Sequence, residues 1–399
     1  MDKIDHPKYE PLEEGIEEEI SDLPEMNYSR SNWSSRAAHT LLVWQRSVPR
    51  RSWRIAGGLA TLCLGVLALL VILSSLRVIS PPSSATHIPQ PIFLPRHAVS
   101  YPRYTYRTQP SAIYRGHVGP ALNVAWSPDG TMVASGGRDS SVQVWNTQSG
   151  KRLLVYLGHS NEVLGIAWSP DSRRIASASR DSTVQVWDAR TGIRLFTYRD
   201  HPKAVFCVAW SPDGSRIVFG EDGGSVQVWD VSTGKHLLTY KASLAPILGV
   251  AWSPDGSRIA SGGVDRIVQV WDAATGKHLF TYQGHTDVIA SVVWSPDGSR
   301  IASGGYDTTI QVWAASSGKR LLLYQGHTDA VYGVAWSPDG SRIASSGDDG
   351  TVQVWDGVTG SHVFTLLTEA DGVAWSPDGT QLASSGLDGM VKDTIPNVV

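Results

Sequence analysis

From about residue 112 onward, short runs of alternating apolar and polar residues recur at a fixed spacing. In one copy, residues 326–367, the runs VYGVAW, RIASS, TVQVW and HVFTLL alternate at period two. That is the pattern of half-buried β-strands. SPDG separates the first two runs, with proline where a β-turn fixes φ and glycine where it needs a permissive φ. DDG and DGVTGS mark the next two turns. Each copy therefore predicts one four-stranded antiparallel sheet.

Two tryptophan series set the beat. Trp126, Trp168, Trp210, Trp252, Trp294 and Trp336 fall every 42 residues, and Trp375 follows after 39. Trp145, Trp187, Trp229, Trp271, Trp313 and Trp355 repeat the 42-residue step. Self-similarity at about 40–45 residues signals propeller blades, so seven first tryptophans predict seven blades. The seventh copy runs out before a fourth strand, after SSGLDGMVK. Just before the first copy, AIYRGH matches LFTYQGH of a later one. Ile113–Arg115 is thus predicted to complete the seventh sheet beside Met390–Lys392. The pairing would cover an edge that otherwise invites aggregation.

The copies also share end marks: Gly-His at 116–117, 158–159, 284–285 and 326–327, and Trp-Asp at 187–188, 229–230, 271–272 and 355–356. By these marks the chain resembles the WD-repeat family over residues 112–399. The resemblance implies an all-β, seven-bladed propeller that binds protein or peptide partners. The uniform repeats and short N-terminal region look most like bacterial members.

Four copies contain His, Ser and Asp in a spacing that imitates a nucleophilic triad. They are His117, Ser135 and Asp139; His159, Ser177 and Asp181; His285, Ser303 and Asp307; and His327, Ser345 and Asp349. Enzymes seldom build four identical active sites around one ring. The resemblance implies instead that each trio joins Trp145, Trp187, Trp313 or Trp355 in a hydrogen-bonded tetrad that ties the blade together. No catalytic site is therefore expected, and the chain is read as a non-enzyme. The third copy has Phe219 and Gly223 in place of Ser and Asp, the fourth has Ser243 in place of His, and the seventh has Thr394 in place of Trp. Blades three, four and seven are expected to be the less rigid ones.

Positions that vary from copy to copy are those the blade does not dictate. One directly precedes the tetrad Asp: Arg138, Arg180, Asp222, Val264, Tyr306, Asp348 and Leu387. The other lies four residues before the first Trp: Leu122, Leu164, Phe206, Leu248, Ala290 and Tyr332. The resemblance places both near the rim of the top face. Leu122, Arg138, Leu164, Arg180, Phe206, Leu248, Val264, Tyr306, Tyr332 and Asp348 are the candidate partner-binding residues. Aromatic and arginine anchors in an apolar surround suit an interface.

The N-terminal part reads differently. Residues 55–76 are 22 uncharged residues without proline, which as a helix reach ~33 Å, enough to cross a bilayer core. Arg46, Arg50, Arg51 and Arg54 flank one side and Arg77 the other. The positive-inside rule then puts the N-terminus in the cytoplasm and the propeller outside the plasma membrane. Gly57, Thr61 and Gly65 make a small-xxx-small row of the kind that admits helix pairing, but such rows also arise from composition alone. Residues 1–54 are expected to be a disordered tail, with ten acids among residues 1–26 and six arginines without an acid in residues 27–54. Seven prolines in 77–111 predict an extended stalk. The leading reading is a membrane-anchored scaffold; the alternative is a sensor whose tail relays binding to cytoplasmic partners.

The propeller region carries 22 Lys/Arg against 27 Asp/Glu, a balance without the basic footprint of nucleic-acid binding. No phosphate loop, metal spacing or cofactor motif occurs, so no cofactor is expected. Two cysteines so far apart in context, Cys63 and Cys207, predict packing rather than a disulfide framework.

Overall fold

A computed structural model describes residues 112–199 and 203–394. The tail expected over 1–54, the membrane helix over 55–76 with its small-residue row, Cys63, and the stalk over 77–111 lie outside the described residues. Among the described residues no helix is long and apolar enough to cross a membrane.

The described residues form twenty-eight strands, numbered in chain order, in seven four-stranded sheets. Blade one consists of β2 (Ala121–Trp126), β3 (Met132–Gly137), β4 (Val142–Asn146) and β5 (Arg152–Tyr156), paired antiparallel in that order. The next five blades repeat it. First strands of neighbouring blades pack against one another, and that of blade seven, β26 (Gly372–Trp375), packs back on β2. The ring is therefore closed.

Burial explains the strand patterns. The middle strands of a blade lie between two neighbours and are mostly buried, polar Ser135 and Gln143 included; β3 is buried along its length. The fourth strand faces solvent on one side, so β5 begins with two exposed residues and ends on buried Tyr156. The core is consequently a set of layers between blades rather than one centre. One layer joins Val142, Val144 and Tyr156 of blade one to Val163, Ile175 and Trp187 of blade two. Full burial of each such aliphatic side chain contributes on the order of 1.5–3 kcal/mol. Four of the first tryptophans add directional ties, among them Trp168, whose indole donates to the Ala125 carbonyl at 3.1 Å, and Trp210, which does the same to Ala167 at 3.1 Å.

Blade seven closes in the expected register. β1 (Ala112–Arg115) runs antiparallel to β28 (Met390–Thr394), with Ile113 opposite Lys392 and Arg115 opposite Met390. The short interval to Trp375 has a local cause. From Tyr324 to Tyr332 the chain takes eight steps, but from the equivalent Leu366 to Asp371 it takes five. The missing three residues come out of the loop that elsewhere carries Gly-His, which is why blade seven has no tetrad histidine.

Candidate interaction face

Each blade ends on one side in the loop before its first strand and the turn between its second and third strands. In blade two these two segments are fastened by the Arg180 amide donating to the Glu162 carbonyl at 3.0 Å, and in blade five by Tyr306 donating to Val288 at 2.8 Å. This end of the ring is called the top here, and the four His–Ser–Asp trios lie beneath it.

In blade two, His159 Nδ1 lies 2.9 Å from Asp181 Oδ2 and His159 Nε2 lies 2.8 Å from Ser177 Oγ. Trp187 Nε1 donates to the same Ser177 Oγ at 3.2 Å. Asp181 can only accept, which places the imidazole proton on Nδ1 and leaves Nε2 to take the serine proton. A single directional chain results, indole to serine to histidine to carboxylate. Blade one repeats it with His117, Ser135, Asp139 and Trp145, the last bond stretched to 3.4 Å.

Blades five and six need a correction. His285 meets Asp307 at 2.9 Å and Ser303 at 2.8 Å, and His327 meets Asp349 and Ser345 at the same distances. The indoles of Trp313 and Trp355, however, reach no acceptor among the described residues. The trio forms and the tryptophan does not join it. Its ring still stacks on a tyrosine, as Trp187 does on Tyr156 at 4.5 Å: Tyr282 lies 4.7 Å from Trp313 at 7°, and Tyr324 lies 4.2 Å from Trp355 at 3°. These tyrosines belong to the fourth strand of the preceding blade, so the stack also joins blades.

The carboxylates are held ionised. Burial works to raise the Asp307 carboxyl, but hydrogen bonds from His285, the Thr286 amide and Thr309 outweigh it and bring it down to about 2. Asp181 is depressed further by the corresponding groups against the same opposing burial. Ser135, Ser177, Ser303 and Ser345 are each 0 % exposed. A nucleophile sealed from solvent cannot meet a substrate, whatever its resemblance to a triad.

Sequence reasoning missed part of these networks. Ser141, Thr183, Thr309 and Thr351 each donate a hydroxyl to the tetrad carboxylate at 2.7–2.8 Å. Gln185 accepts from Tyr156 Oη at 2.6 Å and donates to the Gly158 carbonyl at 3.1 Å. The signal was present, because Gln and Tyr recur at these positions with the tryptophans' own 42-residue step. Blade three rebuilds the lost network with other residues. Phe219 fills the serine site, Trp229 donates to Gln227 at 3.2 Å, and Gln227 donates to the buried Glu221 at 3.4 Å. In blade four Trp271 still donates to Ser261 at 3.1 Å.

The variable positions have a common geometric origin. The register of each first strand in blades one to six skips one residue, a β-bulge, and the residues skipped are Leu122, Leu164, Phe206, Leu248, Ala290 and Tyr332. A bulge re-aims the extra side chain away from the ladder. All six are half-buried, and their seventh counterpart, missed because blade seven is short, is Asp371. Of the turn positions, Arg138, Arg180 and Tyr306 are exposed, while Asp222, Val264, Asp348 and Leu387 are half-buried.

Two groups of these residues are brought together. Arg138 and Arg180, from adjacent blades, both pair with Glu162, at 2.9 and 3.3 Å. Across the ring, Tyr306 meets Tyr332 edge-to-face at 5.5 Å, and the Tyr332 hydroxyl donates to Asp348 at 2.5 Å. No group of three or more His, Cys, Asp or Glu able to hold a metal occurs among the described residues. Burial pushes the Cys207 thiol up to about 12, so it is inert packing.

Seven closed four-stranded blades define a seven-bladed β-propeller. The profile of the WD domain, G-beta repeat, matches residues 108–146, 150–188, 192–230, 234–272, 276–314, 318–356 and 367–392. These matches cover well over half of the chain, which therefore belongs to the WD40 repeat family. Propellers of this family typically act as protein-interaction scaffolds. No curated protein matches the chain at a significant level.

Proposed function

We propose that the chain is a non-enzymatic, membrane-anchored scaffold that binds protein or peptide partners on the top face of its propeller. Residues 55–76 anchor it, 77–111 carry the propeller away from the membrane, and the propeller lies outside the cytoplasm. The observation that carries the binding reading is that bulge and turn residues which change from copy to copy, among them Phe206, Tyr306 and Tyr332, gather at one end of the blades. Beneath them, the four strands and their pairing register repeat from blade to blade even where the polar ties differ. Bulges at such positions re-aim side chains without disturbing the sheet, so partner contacts can change while the scaffold does not.

Replacing Phe206, Tyr306 and Tyr332 together by Ala is expected to abolish co-purification of partners from native membranes without moving the melting temperature by more than a few degrees. Retained binding would place the site elsewhere. Protease added to intact cells is expected to remove the propeller; cleavage only after lysis would reverse the topology.

A further inference from the structure

We infer that the top face between blades one and two takes an acidic side chain of a partner peptide, its carboxylate on Arg138 and Arg180 and a neighbouring apolar residue on Leu164. This rests on the top-face reading above and specifies its ligand chemistry.

Of the seven turn positions these two alone are basic, and they fall in adjacent blades. Glu162 is met by Nε of Arg138 at 2.9 Å and by Nε of Arg180 at 3.3 Å. It is the only carboxylate paired with either guanidinium among the described residues. Two guanidiniums bring five N–H donors each, against about four acceptor sites on one carboxylate. Donors and one positive charge are left over. The tetrad acids Asp139 and Asp181 follow the arginines in the chain but are engaged beneath the face. Asp139 accepts from His117, Ser141 and the Val118 amide, and Asp181 from His159, Thr183 and the Ser160 amide. Their side chains are 14 % and 6 % exposed, those of Arg138 and Arg180 55 % and 40 %. A ligand at the surface therefore meets the arginines. One surplus charge suits one carboxylate, which a guanidinium binds in bidentate fashion. Glu162 also holds two long side chains in place, which lowers the entropy lost when a ligand binds.

The repeat locates the apolar contact. In blade six the bulge residue Tyr332 donates to Asp348, the turn residue of its own blade, and meets Tyr306, the turn residue of the blade before. Leu164 holds the position of Tyr332, Arg180 that of Asp348 and Arg138 that of Tyr306. The backbone agrees, because the Arg180 amide donates to Glu162 at 3.0 Å as the Asp348 amide does to Ala330 at 2.9 Å. Leu164, half-buried, therefore sits between the two arginines. An arginine anchor beside an apolar residue that excludes water has the make-up of an interface hot spot.

The test is selection of a random peptide library on the purified full chain, followed by anisotropy titration of the enriched peptides. Enriched sequences are expected to share an Asp or Glu beside an apolar residue. Arg138→Gln with Arg180→Gln should weaken such a peptide about tenfold, but weaken its acid-to-Ala derivative less than about twofold. Glu162→Gln keeps an acceptor for both arginines and removes the competing charge, so the same peptide should bind about threefold more tightly. A residue that serves only the fold would not raise affinity when replaced. A selection that yields no acid-bearing binder, equal losses for peptide and derivative, or no gain in Glu162→Gln would overturn the site. Acid-free binders that lose affinity in the Phe206/Tyr306/Tyr332 alanine variant would leave the top-face reading standing without it. Binders that keep full affinity in every variant would overturn both.

Discussion

Blades two and three have the same four strands and hold them together differently. Blade two runs its buried polar groups through Trp187, Ser177, His159 and Asp181. Blade three replaces serine with Phe219 and the acid with Gly223, and routes the Trp229 proton to Gln227 and on to Glu221. Both solutions obey one constraint, that buried donors find acceptors. The scaffold tolerates two chemistries for one task, the pairing of the buried indole N–H. The same contrast directs attention upward, to positions where no such constraint acts and copies differ freely.

The largest effect is expected where the ring closes. Tyr114 on β1 is 1 % exposed and lies 5.2 Å from Trp145 of blade one. Tyr114→Ala removes an aromatic group from the layer between blades seven and one, and is expected to cost about 3–5 kcal/mol. Denaturant unfolding measures it; a loss below about 1 kcal/mol would mean that β1 does not complete blade seven.

A smaller effect separates complete from incomplete blades. Asp181 accepts from His159, the Ser160 amide and Thr183, whereas Asp265 of blade four, where Ser243 replaces histidine, accepts from the Ile267 amide at 3.2 Å. Asp181→Ala strands several buried donors and should cost about 2–3 kcal/mol, against about 1 kcal/mol for Asp265→Ala. Equal losses would remove the distinction. Acid should act on the same set. The tetrad carboxylates have folded values below the unfolded value of roughly 4. Their stabilisation is therefore complete above that pH and is lost as pH falls toward about 2, the value held by Asp307. Wild-type stability should drop across this window more steeply than that of Asp181→Ala.

The smallest effect sharpens the turn comparison. The residue after the tetrad acid is left-handed in every blade: Gly224, Gly350 and Gly389 in three of them, but Thr308 at φ 66° in blade five. A β-branched residue is strained there. Thr308→Gly should stabilise by up to about 1 kcal/mol, the relief being partly offset by the freer unfolded chain. A destabilised variant would show that Thr308 makes a contact worth more than its strain.

The tryptophan period made the blade count legible, and the match of AIYRGH to LFTYQGH beside a seventh copy without a fourth strand made the closing strand legible. The polar trios were legible from the same period. What escaped was geometry that a linear pattern does not encode. Nothing in VYGVAW announces that Tyr332 is skipped in the register, and Asp371 was hidden because blade seven drops three loop residues. Nor does the sequence show that Trp313 and Trp355 miss serines that Trp187 reaches, although all three stack on tyrosines. Arg138 and Arg180 lie 42 residues apart in sequence and share one carboxylate in space.

The central claim is that recognition belongs to the top face. Hydrogen exchange of the full chain, alone and with an affinity-selected peptide, tests it most directly. Slowed exchange is expected at 204–208, 305–308 and 330–334, with no change at the opposite turns, 127–131 and 253–257. Protection confined to those opposite turns, or to the outer strands, would contradict it.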